Sequence, residues 1–288
     1  MAGEVGENQK SLEGEPTSGA MPHLIASAAN PQIKALKSLH LKKGRAETGL
    51  FLAEGARSAL EAADLGVWPE VLAYAQAALA RPHVKAFIQT AEARRVRVIE
   101  TSESVLAQIS KRDNPQTVIG AYKQMLTPLA SLDGATIVAL EGIRDPGNLG
   151  TILRTADCTG AAGVVLIGES CDPFSVEAVR ASMGSLFAVK LARASFEELV
   201  QFKHERGAAL IGASLNGAHL GDGWRPPRRV IVLMGNEQSG LDTRMEAACD
   251  LLVKLPMRGR ADSLNLAVAT AVTLYDVWRR RGYDGARA

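Results

Sequence analysis

Three short stretches of this 288-residue chain concentrate the residue types that hold and react with small ligands. The first is Glu141-Gly-Ile-Arg-Asp-Pro-Gly-Asn-Leu-Gly150. Asp145-Pro-Gly147 reads there as a tight turn, and Asn148 reads as the N-cap of a helix over 151–159, its side chain meeting free amides of the first turn. Arg154 follows on that helix, where its type and spacing allow a surface pair with Asp157 at i,i+3 or a cation aimed at a substrate. The second stretch is Met234-Gly-Asn-Glu-Gln-Ser-Gly-Leu241. Gly235 and Gly240 permit close backbone approach or positive φ, while Glu237 puts a carboxylate beside exposed amides. The third, Leu255-Pro-Met-Arg-Gly-Arg-Ala-Asp-Ser-Leu-Asn-Leu266, places Ser263 and Asn265 at the start of a long helix, with Asp262 or Ser263 as the expected cap. Neither G-x-G-x-x-G nor G-x-x-x-x-G-K-[ST] occurs in the first loop, so the dinucleotide and P-loop signatures do not explain it.

The elements that must position these loops follow from hydrophobic pattern. Apolar runs at 137–140, 164–167, 209–213, 230–234 and 251–255 alternate with helical stretches, the signature of a parallel sheet buried on both faces. Ligands of such sheets sit outside the carboxyl ends of the strands, and all three loops follow predicted strands. A final helix is expected from about 264 to 280, its first half rich in small and apolar residues that suit burial against another surface. Upstream, helices at 33–41, 56–65, 84–93 and 102–109 alternate with strands at 50–54, 71–74, 96–99 and 117–122, a small α/β domain. The reading divides the chain into a disordered tail at 1–22, a domain at 23–125, a Pro/Ser/Gly-bearing linker at 126–134 and a second domain at 135–288.

Composition is that of a globular protein, with 47% apolar and 22% charged residues. Three scattered cysteines and five histidines form no ligand cluster, so no metal is expected. No apolar run is long enough for a membrane span and no secretory leader is visible, so a cytoplasmic location is expected. The formal net charge of +2 conceals an asymmetry: residues 1–21 hold four glutamates against one lysine, leaving about +5 for the rest. Basic clusters at Lys34/Lys37/Lys42/Lys43/Arg45, Arg258/Arg260 and Arg279/Arg280/Arg281 suit either phosphate contact or solvated helix faces.

Taken together, N-x-G-x-x-x-R at Asn148 to Arg154, M-G-N-E-x-S-G-L at Met234 to Leu241, and L-P-M with S-L-N-x-A at Leu255 to Ala267 resemble the three ordered motifs of the SpoU/TrmH family of SPOUT-class RNA methyltransferases. Ala178-Val-Arg-Ala-Ser-Met-Gly-Ser185 fits the same pattern. Asn30-Pro-Gln-Ile-Lys34, Lys37 and Gly49-Leu-Phe-Leu-Ala-Glu-Gly55 resemble the substrate-binding domain of the larger members, which is similar to ribosomal protein L30e.

The resemblance implies an α/β fold: a C-terminal SPOUT α/β-knot, in which a parallel sheet is closed by a trefoil knot, behind a smaller L30e-like α/β domain. True knots are rare enough that pattern alone never predicts one. It further implies S-adenosyl-L-methionine as cofactor, held mostly by backbone at Gly235, Leu255 and Leu264, with Leu215 and Asn236 as further candidates. Arg154 would contact the ribose 2′-hydroxyl or its phosphate, acting as base or as electrostatic stabiliser. Asn148 would position Arg154 or the ribose, Glu237 would orient both, and Ser263 and Asn265 would organise the site. The implied partners are RNA, either large-subunit ribosomal RNA or transfer RNA, and a second copy of the chain in a homodimer. A non-catalytic RNA-binding protein on this fold is the reading from another class.

Overall fold

A computed structural model describes residues 24–219 and 224–287. The tail expected at 1–22 lies outside the described residues.

The N-terminal layer begins with helix α1 (Pro31–Ser38), started by the Asn30 side chain, which accepts from the Gln32 amide, and by Pro31 in the first turn. A second helix, α2 (Lys42–Thr48), follows where the sequence pattern extended a single helix to residue 41. Strand β1 (Leu50–Glu54), α3 (Ala56–Asp64), β2 (Val71–Ala75), α4 (Pro82–Ala93), β3 (Arg97–Thr101), α5 (Glu103–Ser110) and β4 (Val118–Lys123) complete it. The sheet order is β1-β4-β2-β3, with β4 antiparallel to both neighbours and β2 parallel to β3.

The second half runs β5 (Thr136–Glu141), α6 (Pro146–Cys158), β6 (Val164–Ile167), α7 (Val176–Ser182), α8 (Ser185–Ala188), β7 (Leu191–Ala194), α9 (Phe196–Arg206), β8 (Ala209–Ala218), β9 (Val230–Met234), α10 (Thr243–Ala248), β10 (Leu251–Val253) and α11 (Leu266–Arg280). Its six strands lie in the order β10-β8-β9-β5-β6-β7, and every pairing is parallel. Alternation along the strands splits the core in two. Val138, Leu140, Val232 and Met234 pack with Leu149, Leu153 and Leu274 from α6 and α11. Ile137, Ala139, Ile231 and Leu233 pack with Phe196, Phe202 and Met245 from α9 and α10. Strand β7 was absent from the sequence reading because Leu-Ala-Arg-Ala has no apolar run.

The two halves share one buried cluster. Phe51 and Tyr122 of the first domain pack at a tilt against Phe174 and Phe187 of the second, with ring centroids 5.1 Å (Phe51–Phe174) and 4.8 Å (Tyr122–Phe187) apart, and all four belong to that cluster. The connecting segment is strapped down: the Thr127 amide donates to the Leu191 carbonyl at 2.8 Å and Leu132 is fully buried.

The basic clusters sort themselves by burial. Arg45 is buried, donating from Nε and Nη2 to Asp172 and from Nη1 to the Leu39 carbonyl, so it is a structural anchor. Arg280 pairs with Asp276, and Arg281 donates to Thr136 Oγ1 and to the carbonyls of Ala135 and Pro227. Lys34, Lys42, Lys43, Arg258 and Arg260 remain exposed.

The Tyr122 hydroxyl is buried in the shared aromatic cluster with no hydrogen-bond partner among the described residues, and burial holds its phenol well above its ordinary pKa. An unsatisfied buried hydroxyl is destabilising by about 1–3 kcal/mol. Tyr122→Phe is therefore expected to raise the thermal unfolding midpoint, by about 2–4 °C for each kcal/mol relieved. A lowered midpoint in calorimetry would show that the hydroxyl has a partner.

Candidate active site

The first loop folds differently from its expected cap. Asp145, not Asn148, is the N-cap of α6: its carboxylate accepts from the Asn148 amide at 2.9 Å, and Pro146 occupies the first turn. Asp-Pro is a strong start signal, because proline at the first helical position loses no hydrogen bond, so the helix begins earlier than read. Asn148 is thereby released from capping. Its Nδ2 donates to Glu237 Oε1 at 3.4 Å, and its Oδ1 accepts from Asn265 Nδ2 at 2.9 Å. Glu237 also accepts the amides of Arg144, at 3.3 Å, and Asp145, at 3.2 Å. One carboxylate thus collects three donors from the first loop, and one asparagine relays to the third.

The second loop is pinned by its own backbone. Asn236 and Gly240 pair across it as an isolated antiparallel bridge, and Asn236 Nδ2 donates to the Gly142 carbonyl at 2.7 Å. At Gly235 a Cβ would lie 2.1 Å from the Gly240 carbonyl carbon, so this turn closes only with glycine there. Gly240 supplies the positive φ of +67°.

In the third loop Asn265 caps α11, its Oδ1 accepting from the amides of Ala267 and Val268. This corrects the expected Asp262 or Ser263 cap. Ser263 donates to Asp262 Oδ1 at 3.0 Å and makes no bond to the Glu237–Asn148–Asn265 chain. The cofactor candidates Gly235, Asn236 and Leu255 follow β9 and β10, Leu215 lies in the extended end of β8, and Leu264 immediately precedes the α11 cap. Leu215 and Leu264 are 56% and 40% exposed, large apolar side chains presented to solvent. Ser214 and Asn216 flank Leu215 and both donate to the Glu246 carboxylate, which fixes the segment.

Arg154 is exposed. The pair with Asp157 does not form: Asp157 accepts instead from Ser185 Oγ at 2.7 Å, and among the described residues no carboxylate lies within ion-pairing distance of Arg154. Six residues past Asn148, it stands about 9 Å further along α6 and roughly 240° round the helix. Asn148 therefore holds loops together, and the structure does not bring it to Arg154. Cys171 lies under the first loop, its amide donating to the Ile143 carbonyl at 2.7 Å. Burial, reinforced by Glu237, pushes its thiol up to about 11, so it stays protonated at neutral pH and is no nucleophile. Glu141, at the end of β5, opens the first loop but received no role from the sequence; burial raises its carboxyl, and Oε2 has no partner among the described residues. No group of three metal-ligating side chains occurs among the described residues.

A parallel α/β sheet that gathers three polar loops at the carboxyl ends of its strands defines a cofactor-binding enzyme of the open-sheet class. The SpoU rRNA Methylase family matches residues 135–275, and the MRM3-like substrate binding domain matches residues 30–120. The chain is 30% identical to the 23S rRNA (guanosine(2553)-2′-O)-methyltransferase RlmP of Bacillus subtilis over 253 residues, covering 87% of this chain and 97% of that protein. It is also 30% identical to the 23S rRNA (uridine(2479)-2′-O)-methyltransferase of Streptomyces viridochromogenes, over 93% of this chain and 95% of that one. Among solved structures, the AdoMet-bound rRNA methyltransferase of Sinorhizobium meliloti superposes with a TM-score of 0.83 at 41% identity, covering 89% of this chain and 97% of that one. The chain belongs to the SpoU rRNA methylase family.

The Asn148–Asn265 bond joins the first loop to the third. In a cycle of Asn148→Ala, Asn265→Ala and the double variant, each single change is expected to lower kcat/KM. The double should cost about 1 kcal/mol less than the sum of the singles. Strict additivity would mean the two amides act independently.

Proposed function

We propose that this chain transfers a methyl group from S-adenosyl-L-methionine to a ribose 2′-hydroxyl of 23S-type ribosomal RNA. The observation that carries the reading is the Glu237–Asn148–Asn265 chain, which ties together the three loops that follow β5, β9 and β10. These loops suit the cofactor: exposed Leu215 and Leu264 offer apolar surface for an adenine face, and the glycine-closed turn at Gly235 offers backbone. When bound, the cofactor supplies an electrophilic sulfonium methyl, and displacement at that carbon needs no metal. The relatives' shared activity on 23S rRNA, matched along nearly their whole length, supports this substrate over transfer RNA. A cytoplasmic site of action follows from it.

As the new C–O bond forms and the sulfonium C–S bond breaks, the 2′-hydroxyl, a poor nucleophile, gives up its proton to solvent water, and the chain's own residues lower the barrier to that loss. A guanidinium is a planar cation with a fork of donors that matches a phosphate, so we assign Arg154 electrostatic stabilisation of the hydroxyl and its neighbouring phosphate as charge develops. Its exposure without a carboxylate partner supports that role. Asn148 and Glu237 hold the loop from which α6 springs. Ser263, on the exposed rim, is assigned to the ribose, and Arg258 and Arg260 beside it to backbone phosphates. The return of the chain from β9 to pair β10 with β8, before α11 packs on α6, supports the knotted path that the family resemblance implies.

A homodimer completes the proposal. Val268, Val272 and Tyr275 are 48%, 45% and 43% exposed along one stripe of α11, at the i, i+4, i+7 spacing of a packing face, and a second copy would cover it. Light scattering is expected to give the mass of two chains, and Val272→Glu to shift it towards one; a wild-type monomer contradicts this.

With labelled cofactor, the protein is expected to methylate 23S rRNA and not transfer RNA. Arg154→Ala should lose activity by about a hundredfold or more while cofactor affinity changes by no more than about threefold. Near-full activity in that variant would remove Arg154 from the mechanism.

A further inference from the structure

Two sequence signatures lie outside the three loops: Glu54, ending the Leu-Phe-Leu-Ala-Glu stretch of β1, and Arg180, in the Ala-Val-Arg-Ala stretch of α7. The fold brings them together across the domain boundary. Arg180 Nη2 donates to Glu54 Oε1 at 2.6 Å and its Nε to Oε2 at 3.3 Å, a two-pronged pairing that fixes direction as well as distance. The same Nη2 donates to the Ser110 carbonyl at the end of α5, at 2.7 Å. Glu54 is a buried carboxylate, its side chain only 3% exposed, with Arg112 Nη1 4.0 Å from Oε2.

Arg180 stands on the helix that backs the catalytic one. Where α6 crosses α7 no side chain intervenes: a Cβ on Gly150 would lie 2.4 Å from the Ala178 carbonyl oxygen and 2.5 Å from Ala181 Cβ. Gly150 sits between Asn148 and Arg154, so a shift of α7 is a shift of both. The entry to α7 is held as well, since Asp172, just before its Ser175 cap, takes the buried Arg45. The aromatic cluster between the domains supplies adhesion without direction; the two arginine forks bracket α7 and supply register.

We propose that the Glu54–Arg180 pair is a positioning element that sets α6 relative to RNA held by the N-terminal domain, and so helps determine which ribose reaches the methyl group. The proposal rests on the rRNA methyltransferase reading. It makes the domain junction a ruler: the bound RNA feature and the target nucleotide are separated by a fixed span of protein.

The test uses the full chain, a 23S rRNA fragment, single-turnover kinetics, mapping of methylated riboses and calorimetric cofactor binding. Arg180→Met keeps the aliphatic stem and removes the fork. It is expected to lower the methyl-transfer rate at saturating RNA at least tenfold and to spread methylation from one ribose to its neighbours, with cofactor affinity within about twofold of wild type. Arg180→Lys, which keeps the charge, should recover part of the rate and the single target. Should Arg180→Met fail to bind cofactor, the near-isosteric Glu54→Gln decides by the same readouts. Variants that methylate the same single ribose at the wild-type rate overturn the proposal, even if they melt earlier. A wild-type chain that methylates no RNA overturns the function reading and this proposal with it.

Discussion

Three segments far apart in sequence meet at the Glu237 carboxylate and the two asparagines beyond it. The carboxylate gathers the Arg144 and Asp145 amides and the Asn148 side chain, and Asn148 passes the link to Asn265 at the head of α11. Each bond is modest and partly exposed, and each alone is worth little. Their value is geometric. The strand ends fix where the loops begin, and this chain fixes where they end relative to one another, which is what a preorganised methyl-transfer site requires.

The surrounding structure is arranged so that the relay has firm ends. Gly235 permits a turn that any side chain would break, and Asn236 ties that turn to Gly142 just past the end of β5. α6 is capped by Asp145, wedged against α7 at Gly150 and packed on α11 through the core beneath β5 and β9. The N-terminal domain joins this body through a continuous aromatic core and two partly buried charge pairs, so the substrate-binding and methylase domains share one frame.

Much of this could be read from sequence, for identifiable reasons. The strands β5, β6 and β9 are near-continuous apolar runs because both faces are covered, and the loops after β9 and β10, with the one opening α6, carry residues that turns alone do not require. What escaped has physical causes too. β7 is short and contains an arginine, and α2 is a Lys-Lys-Gly-Arg segment whose Arg45 turned out to be buried. The caps were misassigned at Asn148 and Asn265 because each competes with another good capping residue nearby, and only the folded chain decides between them. The Asn148–Asn265 bond spans 117 residues of sequence, which no local pattern encodes. The role of Arg154 rests on its motif, since its local spacing favoured a salt bridge that does not form.

The central claim concerns which atom receives the methyl group. Alkaline hydrolysis of enzyme-treated 23S rRNA, followed by mass analysis of the fragments, tests it directly. Cleavage by alkali needs a free 2′-hydroxyl, so transfer to that oxygen is predicted to leave one alkali-stable dinucleotide carrying the added methyl on its ribose. A methyl recovered on a base, in fully cleaved mononucleotides, would contradict the account.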